Sequence, residues 1–308
     1  MQNSDKLLSI CIPTYNRGNR LIDLLESANS TFENNIEIII VDDGSTDKTR
    51  DLVKEFSCTS GMCIKYIYQE NMGRSHALNR AILATTSEYT VIMDSDDIFT
   101  RDGIDIIISK ILTLKKGKEE KDIAGFIFLC SDFSCSIIGD KFPENLFVGN
   151  ILKLVSDFQI SGDKKEVIKS NVIKDILYIP YTNEKRMATS IIWNRVSSRF
   201  NVYVVNKVVS MKDYSKDGMS NNIDCIRLQS PKSSAKYYGE LFNYHNRVYS
   251  SYKYAFRAAI NLIRYSIHLK SLFFILKHNP DYKKKMLLFA SIPLSVLLAI
   301  KDKIFCKL

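Results

Sequence analysis

Apolar runs alternate with amphipathic stretches along the first 130 residues of the 308-residue chain. Short runs rich in Ile, Leu and Val predict strands at 7–12, 36–41, 64–68, 90–93 and 123–130. The segments between them have helical spacing, at about 19–30, 47–56, 75–85 and 103–114. Nearly continuous apolar strands separated by helices are typical of a parallel sheet covered on both faces. The pattern therefore predicts an α/β fold.

The pattern is less regular in the second half of the chain. It favours helices at 162–176 and 187–199 and a strand at 200–211. Pro13 is expected to close the first strand, because proline cannot donate a hydrogen bond inside a central strand. A domain boundary is expected at about 215–235, where Gly, Pro and Ser residues interrupt the pattern.

Polar segments follow three of the predicted strands, at Pro13–Asn16, Asp42–Ser45 and Asp94–Asp97. Since α/β sheets bind ligands at the carboxyl ends of their strands, these segments are expected to share one site. Asp94–Asp97 contains three carboxylates in four residues, which repel each other unless a cation or water compensates. Mg²⁺ or Mn²⁺, held by one or two carboxylates and by substrate phosphate oxygens, would supply that cation. A solvated acidic turn is the alternative.

Four linked motifs carry a resemblance to a known family: Ser9–Arg17, Ile38–Asp47, Asn71–Asn79 and Tyr89–Asp97. In order and spacing they are similar to the family 2 glycosyltransferases, an inverting family with the GT-A fold. The similarity covers roughly the first 115 residues and continues more weakly through Gly162–Glu166, Ile191–Arg195 and Tyr214–Ser220. It implies a Rossmann-like GT-A domain whose mostly parallel central sheet has helices on both faces.

The resemblance also implies how the nucleotide base would be held. Pro13, Thr14 and Tyr15 would form the floor of the base pocket. Asp43 would accept a hydrogen bond from the imide N–H of the base, which suits uracil because uracil presents a donor there. Asp42 is interpreted instead as a capping residue of the following helix.

The remaining implied contacts concern the ribose, the phosphates and the metal. Asp94 would bind the ribose hydroxyls, Arg74 would lie beside the base or phosphate, and Asp96 would ligate Mn²⁺ or Mg²⁺. Arg17 and Ser95 are further candidates for binding the nucleotide-sugar, although Arg17 is equally consistent with a solvated residue at a helix entry.

The usual catalytic base of the family is missing. Inverting transfer requires a carboxylate that takes the proton of the acceptor hydroxyl. The family places it just before an apolar, Trp-containing helix, and here that position is Thr189. Glu184 is the nearest carboxylate and the candidate substitute, while a solvent-exposed acid paired with a neighbouring base is the alternative. Asp163 is a more distant candidate, and an inactive protein is a third possibility.

Positive charge is concentrated at the C-terminal end. Residues 231–308 contain 14 Lys and Arg against three acids, which gives this segment +11 and leaves −2 for the rest of the chain. Lys253, Arg257, Arg264 and His268 have the spacing of one polar helical stripe, and 286–300 is an uncharged run too short for a bilayer span. We expect helices that lie on a membrane surface, with packing against protein as the alternative. No nucleic-acid motif accompanies the lysines.

The sequence thus predicts a GT-A domain at 1–230, with a nucleotide-binding half at 1–115 and an acceptor half at 116–230, and a basic helical membrane-associating tail at 231–308. The resemblance implies transfer of one hexosyl or N-acetylhexosaminyl group from a UDP-sugar to a glycan acceptor. A lipid-diphosphate-linked acceptor in bacterial O-antigen or capsule synthesis is expected, at the cytoplasmic face of the cell membrane. A non-catalytic scaffold is the alternative, because Thr189 replaces the base.

Overall fold

The computed structural model describes residues 6–117, 122–181, 183–184, 186–213, 223–276 and 281–305. They form two compact units. The first draws on 1–151, 160–178 and 199–215, and the second on 152–159, 179–198 and 216–308. The weak family similarity at Tyr214–Ser220 lies outside the described residues.

Four parallel strands begin the sheet of the first unit. β1 (Leu8–Thr14) pairs with β2 (Ile36–Asp42) on one side and β4 (Tyr89–Ile92) on the other, and β3 (Ile64–Tyr68) pairs with β2. β1, β2 and β4 are buried along their whole length, as a sheet covered on both faces requires. The first four predicted strands are confirmed.

The sheet continues beyond β4 with less regular pairing. β8 (Lys164–Lys169) is antiparallel to both β4 and β6 (Ile123–Asp132). β9 (Asn201–Lys212) runs parallel to β6 and pairs with two short strands, β5 (Ile98–Phe99) and β7 (Val148–Gly149). The predicted helix at 162–176 is therefore wrong in its first half, because only α6 (Ser170–Asp175) is helical.

Helices cover the sheet where the sequence predicted them: α1 (Gly18–Ser27), α2 (Thr49–Thr59), α3 (Arg74–Leu83) and α4 (Gly103–Lys116). Side chains of α1, α2 and α4 enter one apolar core with β1, β2 and β4. α3 packs on β1 and β2, and its buried side chains lie outside that core. The mostly parallel sheet with helices on both faces is confirmed.

Pro13 lies inside β1 and does not end it. In a parallel strand the N–H and C=O of one residue point to the same side. The Cys11 carbonyl accepts from the Met93 N–H, so Cys11, and with it Pro13, faces β4. The ladder between β1 and β4 extends only as far as Cys11 and Ile92. The missing N–H of Pro13 therefore falls beyond the end of β4, where no strand requires it.

The second unit is helical. After α5 (Ile151–Ser156) and α7 (Ser190–Ser197) come α8 (Ile223–Leu228), α9 (Pro231–Tyr244), α10 (Tyr252–His268), α11 (Phe273–Leu276) and α12 (Tyr282–Phe305). α10 packs against both α9 and α12. Within the described ranges, no helix combines the length and apolar content needed to cross a bilayer.

Asp302 ties α12 to α10. It accepts hydrogen bonds from Arg264, with Nε at 2.7 Å from Oδ2, and lies 2.8 Å from Nε2 of His268. Arg264 and Asp302 are buried. Arg264 and His268, predicted as members of one polar stripe, are thus both directed at a carboxylate of the neighbouring helix.

The scattered cysteines have no zinc-site spacing, and the sequence therefore predicts reduced, mostly core residues; those that the structure describes fall into three groups. Cys11 and Cys130 are free and buried. Cys58, Cys63 and Cys135 are free but exposed, so the expected core location is wrong for these three. Cys225 is disulfide-bonded, contrary to the expectation that the cysteines are reduced.

Candidate active site

The candidate site lies in the first unit, at the sheet edge where β1, β2 and β4 end. Thr14 and Asp42 are the last residues of β1 and β2 and are paired in register, and Asp94 follows β4 by two residues. The structure thus brings the three predicted polar segments to one edge, as their positions after parallel strands require.

The floor predicted for the base pocket contains one unpaired polar atom. Pro13 and Thr14 are buried, whereas Tyr15 is exposed. Among the described residues, Oγ1 of Thr14 has no hydrogen-bond partner although the side chain is only 3% exposed. Buried polar groups are normally paired, so an orphaned hydroxyl at this edge is an observation consistent with a ligand contact.

Asp43 has one acceptor position left. Its Oδ1 accepts from Gln69 Nε2 at 2.7 Å and from the Met72 N–H at 2.9 Å, and its Oδ2 accepts from the Gly73 N–H at 2.8 Å. A carboxylate offers about four acceptor positions. Three protein donors therefore fix the orientation of Asp43 and leave Oδ2 able to accept one more hydrogen bond.

Asp42 caps a loop and not the following helix. Its Oδ1 accepts from the Ser45 N–H at 2.8 Å and its Oδ2 from the Tyr66 hydroxyl. Burial and the Asp42 carboxylate raise the pKa of Tyr66, so this hydroxyl remains a donor. α2 begins only at Thr49, and the predicted helix-capping role of Asp42 is therefore wrong.

Asn16 joins the loops after β1 and β2. Its backbone N–H donates to the Ser45 hydroxyl at 2.9 Å, and its side-chain Oδ1 accepts from the Thr46 N–H at 2.8 Å. It adopts the left-handed backbone conformation, with φ of 51°, which asparagine tolerates better than most residues. Sequence reasoning placed Asn16 in the motif but gave it no role.

Arg74, at the start of α3, forms an ion pair with Asp94. The guanidinium Nε lies 3.1 Å from Oδ1 of Asp94, and Nη2 donates to the same oxygen. Burial opposes the charge of Asp94, but Arg74 and Lys212 together hold the pKa of this carboxyl well below its usual range. Asp94 is therefore ionised at neutral pH. Its neighbour Ser95 is buried.

Asp96, the predicted metal ligand, forms an ion pair with Arg17, whose Nη1 donates to Oδ2. In the part of the chain that the structure describes, no three His, Cys, Asp or Glu side chains are arranged to hold a metal by themselves. Asp96 is 29% exposed, so ligands can reach it. These residues fit a divalent cation bound by one carboxylate together with diphosphate oxygens, which is a common arrangement for Mg²⁺.

Two lysines that sequence reasoning missed contact carboxylates of Asp94–Asp97, the acidic loop. Lys212 Nζ is 2.9 Å from Oδ2 of Asp97, 3.9 Å from Asp94 and 3.6 Å from Asp163, and Lys165 Nζ is 3.8 Å from Asp97. Burial opposes the charge of Lys212, but the three carboxylates raise its pKa. These lysines, and not a metal alone, offset the mutual repulsion of the acidic loop.

Glu184 belongs to the second unit and caps α9. Its two carboxylate oxygens accept from the backbone N–H groups of Lys232 and Ser233, each at 2.7 Å, and the side chain is 8% exposed. Free N–H groups at a helix N-terminus require such acceptors. The structure therefore gives Glu184 a capping role, and the alternative of a solvent-exposed acid is wrong.

Sequence comparison finds similarity to known glycosyltransferases. Residues 9–117 match the family described as Glycosyl transferase family 2. Glycosyltransferase GlyA of Streptococcus pneumoniae is 32% identical over 143 residues, which are 46% of this chain and 20% of that protein. An uncharacterized glycosyltransferase of Rickettsia felis is 28% identical over 277 residues, 73% of this chain and 46% of that protein. The chain therefore spans less than half of either relative.

Solved structures show the same fold. S. aureus TarS 1–349 in complex with UDP-GlcNAc superposes with a TM-score of 0.58 at 15% identity, covering 94% of this chain and 80% of that one. The mannosyltransferase PcManGT from Pyrobaculum calidifontis, in complex with GDP-Man and Mn²⁺, gives 0.58 at 15% identity, covering 99% and 89%.

The fold is that of the GT-A glycosyltransferases, as predicted. Residues 9–117 match glycosyltransferase family 2, and the resemblance inferred from the four motifs is confirmed.

Proposed function

We propose that the protein transfers one sugar from a UDP-sugar to a glycan acceptor with inversion at the anomeric carbon. The main support for this proposal is that Thr14, Asp43 and the acidic loop lie together at one edge of the sheet. All three belong to the region that matches family 2. A UDP donor is supported by the remaining acceptor position of Asp43, which suits the imide N–H of uracil. TarS structures with UDP and with UDP-GlcNAc support the same donor class.

The residues at this edge would each contact a different part of the donor. Pro13, Thr14 and Tyr15 would contact the base, and the unpaired Thr14 hydroxyl would gain a partner there. Asp94, held ionised by Arg74, would accept from the ribose hydroxyls. Backbone at Ser95 would lie against the nucleotide.

A divalent cation, Mn²⁺ or Mg²⁺, would be held by Asp96 and the diphosphate and would offset negative charge on the departing UDP. The Arg17 guanidinium donates a hydrogen bond to the Asp96 carboxylate. Since the guanidinium also matches phosphate geometry, Arg17 would contact the diphosphate once the nucleotide is bound.

We propose a phosphate-bearing acceptor, of the lipid-diphosphate-linked kind used in bacterial O-antigen or capsule synthesis. A cleft of the second unit supports this, because it is lined by two guanidinium groups beside aromatic and hydroxyl side chains: Arg186, Arg227, Ser234, Tyr237 and Tyr238. The Arg227 guanidinium lies 6.0 Å from the Tyr238 ring centroid and 3.9 Å from Oδ1 of Asp224, and guanidinium groups bind phosphate oxygens well.

We also propose that α12 binds the cytoplasmic face of the cell membrane. Its apolar side chains Phe289 and Leu297 are 76% and 63% exposed, and Ile304 is 68% exposed. The exposed Lys283 and Lys285 precede this surface along the helix. Apolar side chains bordered by lysines are typical of a helix that lies at an anionic lipid surface.

The test is UDP release and donor binding by the full chain. We expect UDP, and not GDP or dTDP, to raise the melting temperature in Mn²⁺, and UDP to be released from a UDP-sugar. A protein that binds UDP without ever releasing it from a UDP-sugar would instead be the non-catalytic scaffold that Thr189 suggests. A shift produced by GDP alone would overturn the assignment of the donor.

A further inference from the structure

The proposed function requires a general base that its predicted positions do not supply, and the inference drawn here rests on that function. Thr189 has no group that takes a proton at neutral pH, and both oxygens of Glu184 already accept from the α9 backbone. Inverting transfer nevertheless needs a group near the acceptor hydroxyl. A carboxylate of the first unit fills this requirement.

Glu166 lies on the strand next to the one that leads into the acidic loop. β4 and β8 are antiparallel, with Val91 opposite Val167. Glu166 is the next residue of β8 beyond this pair, on the side where β4 ends at Ile92 and leads into the acidic loop. The adjacent Lys165 lies 3.8 Å from Oδ2 of Asp97 and 3.1 Å from the Ile92 carbonyl, so this part of β8 borders the acidic loop. Glu166 also lies on the side of β4 away from β1 and the predicted base pocket.

The Glu166 carboxylate differs from the other carboxylates discussed above, because no neighbour satisfies it. Apart from its own backbone N–H, no donor among the described residues hydrogen-bonds to it. Asp43 and Glu184, by contrast, have two or three protein donors each. The side chain is half-buried, and a partly buried carboxylate with few protein donors is costlier to ionise than an exposed one, which makes it a candidate for a functional role.

The charged surroundings of Glu166 agree with a role in proton transfer. Burial raises its pKa to about 7, Lys165 and Lys212 act in the opposite direction, and Asp163 adds to the rise. Lys164 and Cys130 also interact electrostatically with it. Bases are most effective when their pKa lies near the working pH, because they are then both available and sufficiently basic.

We propose that Glu166 is the general base of the transfer. Its carboxylate takes the proton of the acceptor hydroxyl while that oxygen forms a bond to the anomeric carbon. The bond between the anomeric carbon and the diphosphate oxygen breaks at the same time, and its electron pair leaves with UDP. The acceptor gains the sugar, Glu166 gains the proton, and no oxidant or reductant is needed.

The test uses the full chain and follows UDP released from UDP-glucose or UDP-GlcNAc in Mn²⁺, with water as the acceptor. Water loses a proton in this reaction as a sugar hydroxyl would. We expect Glu166→Gln to lower the rate at least 100-fold, and Glu166→Asp to retain part of it. The wild-type rate should rise about tenfold per pH unit below pH 7 and level off above it, and Glu166→Gln should lose this dependence.

Two controls separate the possible failures. Glu144→Gln alters an exposed glutamate and should leave the rate unchanged. UDP should raise the melting temperature of Glu166→Gln as it does for the wild type, which shows that the variant folds and binds the donor. An active wild type with an equally active Glu166→Gln overturns the base assignment alone. A wild type that releases no UDP from either donor overturns the proposed function, and the base assignment with it.

Discussion

Arg17 donates a hydrogen bond to Asp96, so the predicted metal ligand is paired with a predicted nucleotide-binding residue. This ion pair offsets the negative charge of the Asp96 carboxylate. A metal ion arriving alone would have to displace a charged guanidinium, whereas a metal ion arriving with UDP would offer Arg17 a diphosphate in exchange. Binding of metal and of nucleotide at this edge should therefore depend on each other.

The first prediction concerns that dependence. Asp96→Asn is expected to abolish the additional rise in melting temperature that Mn²⁺ gives in the presence of UDP, and to reduce turnover roughly 100-fold. Asp102→Asn, which alters an exposed aspartate nearby in the sequence, is the matched control and should behave as wild type. Full activity of Asp96→Asn, or of the wild type in a chelator, would contradict the proposed metal site.

The second prediction concerns Glu184, whose substitution should affect stability rather than chemistry. Glu184→Gln removes the charge at the α9 N-terminus and one of the two oxygens that accept from Lys232 and Ser233. We expect the free energy of unfolding to fall by about 1–2 kcal/mol, measured in urea. Turnover per folded molecule should not change. A 100-fold loss of turnover in folded protein would restore Glu184 as the base and remove Glu166.

The third prediction follows from the raised pKa of Glu166, about 7 against an ordinary 4.5. The folded state favours the protonated form, so the stability linked to this group is fully present below pH 4.5 and is lost as the pH rises through 7. Glutamine does not ionise. We expect Glu166→Gln to unfold like the wild type at pH 4.5 and to be more stable at pH 8, by up to about 3 kcal/mol.

Denaturation at the two pH values measures this difference, with Glu144→Gln as the reference for removal of an exposed charge. Equal stability of Glu166→Gln and wild type at pH 8 would show that the carboxylate ionises without cost. The surroundings of the Glu166 carboxylate would then not disfavour its charge.

The fourth prediction concerns the exposed apolar side chains of α12. Phe289→Glu and Leu297→Glu, combined, should greatly reduce sedimentation of the protein with phosphatidylglycerol-containing vesicles, because charge on this surface opposes insertion between lipids. Phe147→Glu alters a similarly exposed apolar residue outside α12 and serves as control. Unchanged vesicle binding, or a wild-type dimer that the double variant converts to monomer, would favour protein packing over a membrane.

The sequence predicted the parts of the fold that depend on local pattern. β1 to β4 and the helices between them have apolar spacing strong enough to locate within a few residues. β8 was mistaken for helix because Lys164, Lys165 and Lys169 resemble the polar face of a helix. In the sheet, Lys165 is buried and reaches the Ile92 carbonyl at 3.1 Å, a contact that only the pairing with β4 provides.

In the candidate site, too, the sequence predicted the positions of some residues and missed those of others. Asp43, Asp94 and Asp96 were located correctly at one edge, because parallel strands align their carboxyl ends. Lys212 could not be found, since it approaches Asp97 only through the pairing of β9 with β5, which lies far from it in the sequence. Glu184 looked like a loop acid because the helix that it caps begins some fifty residues later. The positions of Lys212 and Glu184 both depend on contacts between residues far apart in the sequence, which local sequence patterns do not reveal.

The carboxylate of Asp302 sets a limit on how the C-terminal end can be shortened in the laboratory. Removing the last helical turn of α12 would take away the carboxylate that accepts hydrogen bonds from the buried Arg264 and leave it with Asp224 at 3.9 Å, and breaking a buried ion pair costs several kcal/mol. The same cut would loosen a helix that displays Phe289 and Leu297. Variants designed for crystallisation should therefore retain residue 302 and replace the apolar side chains instead.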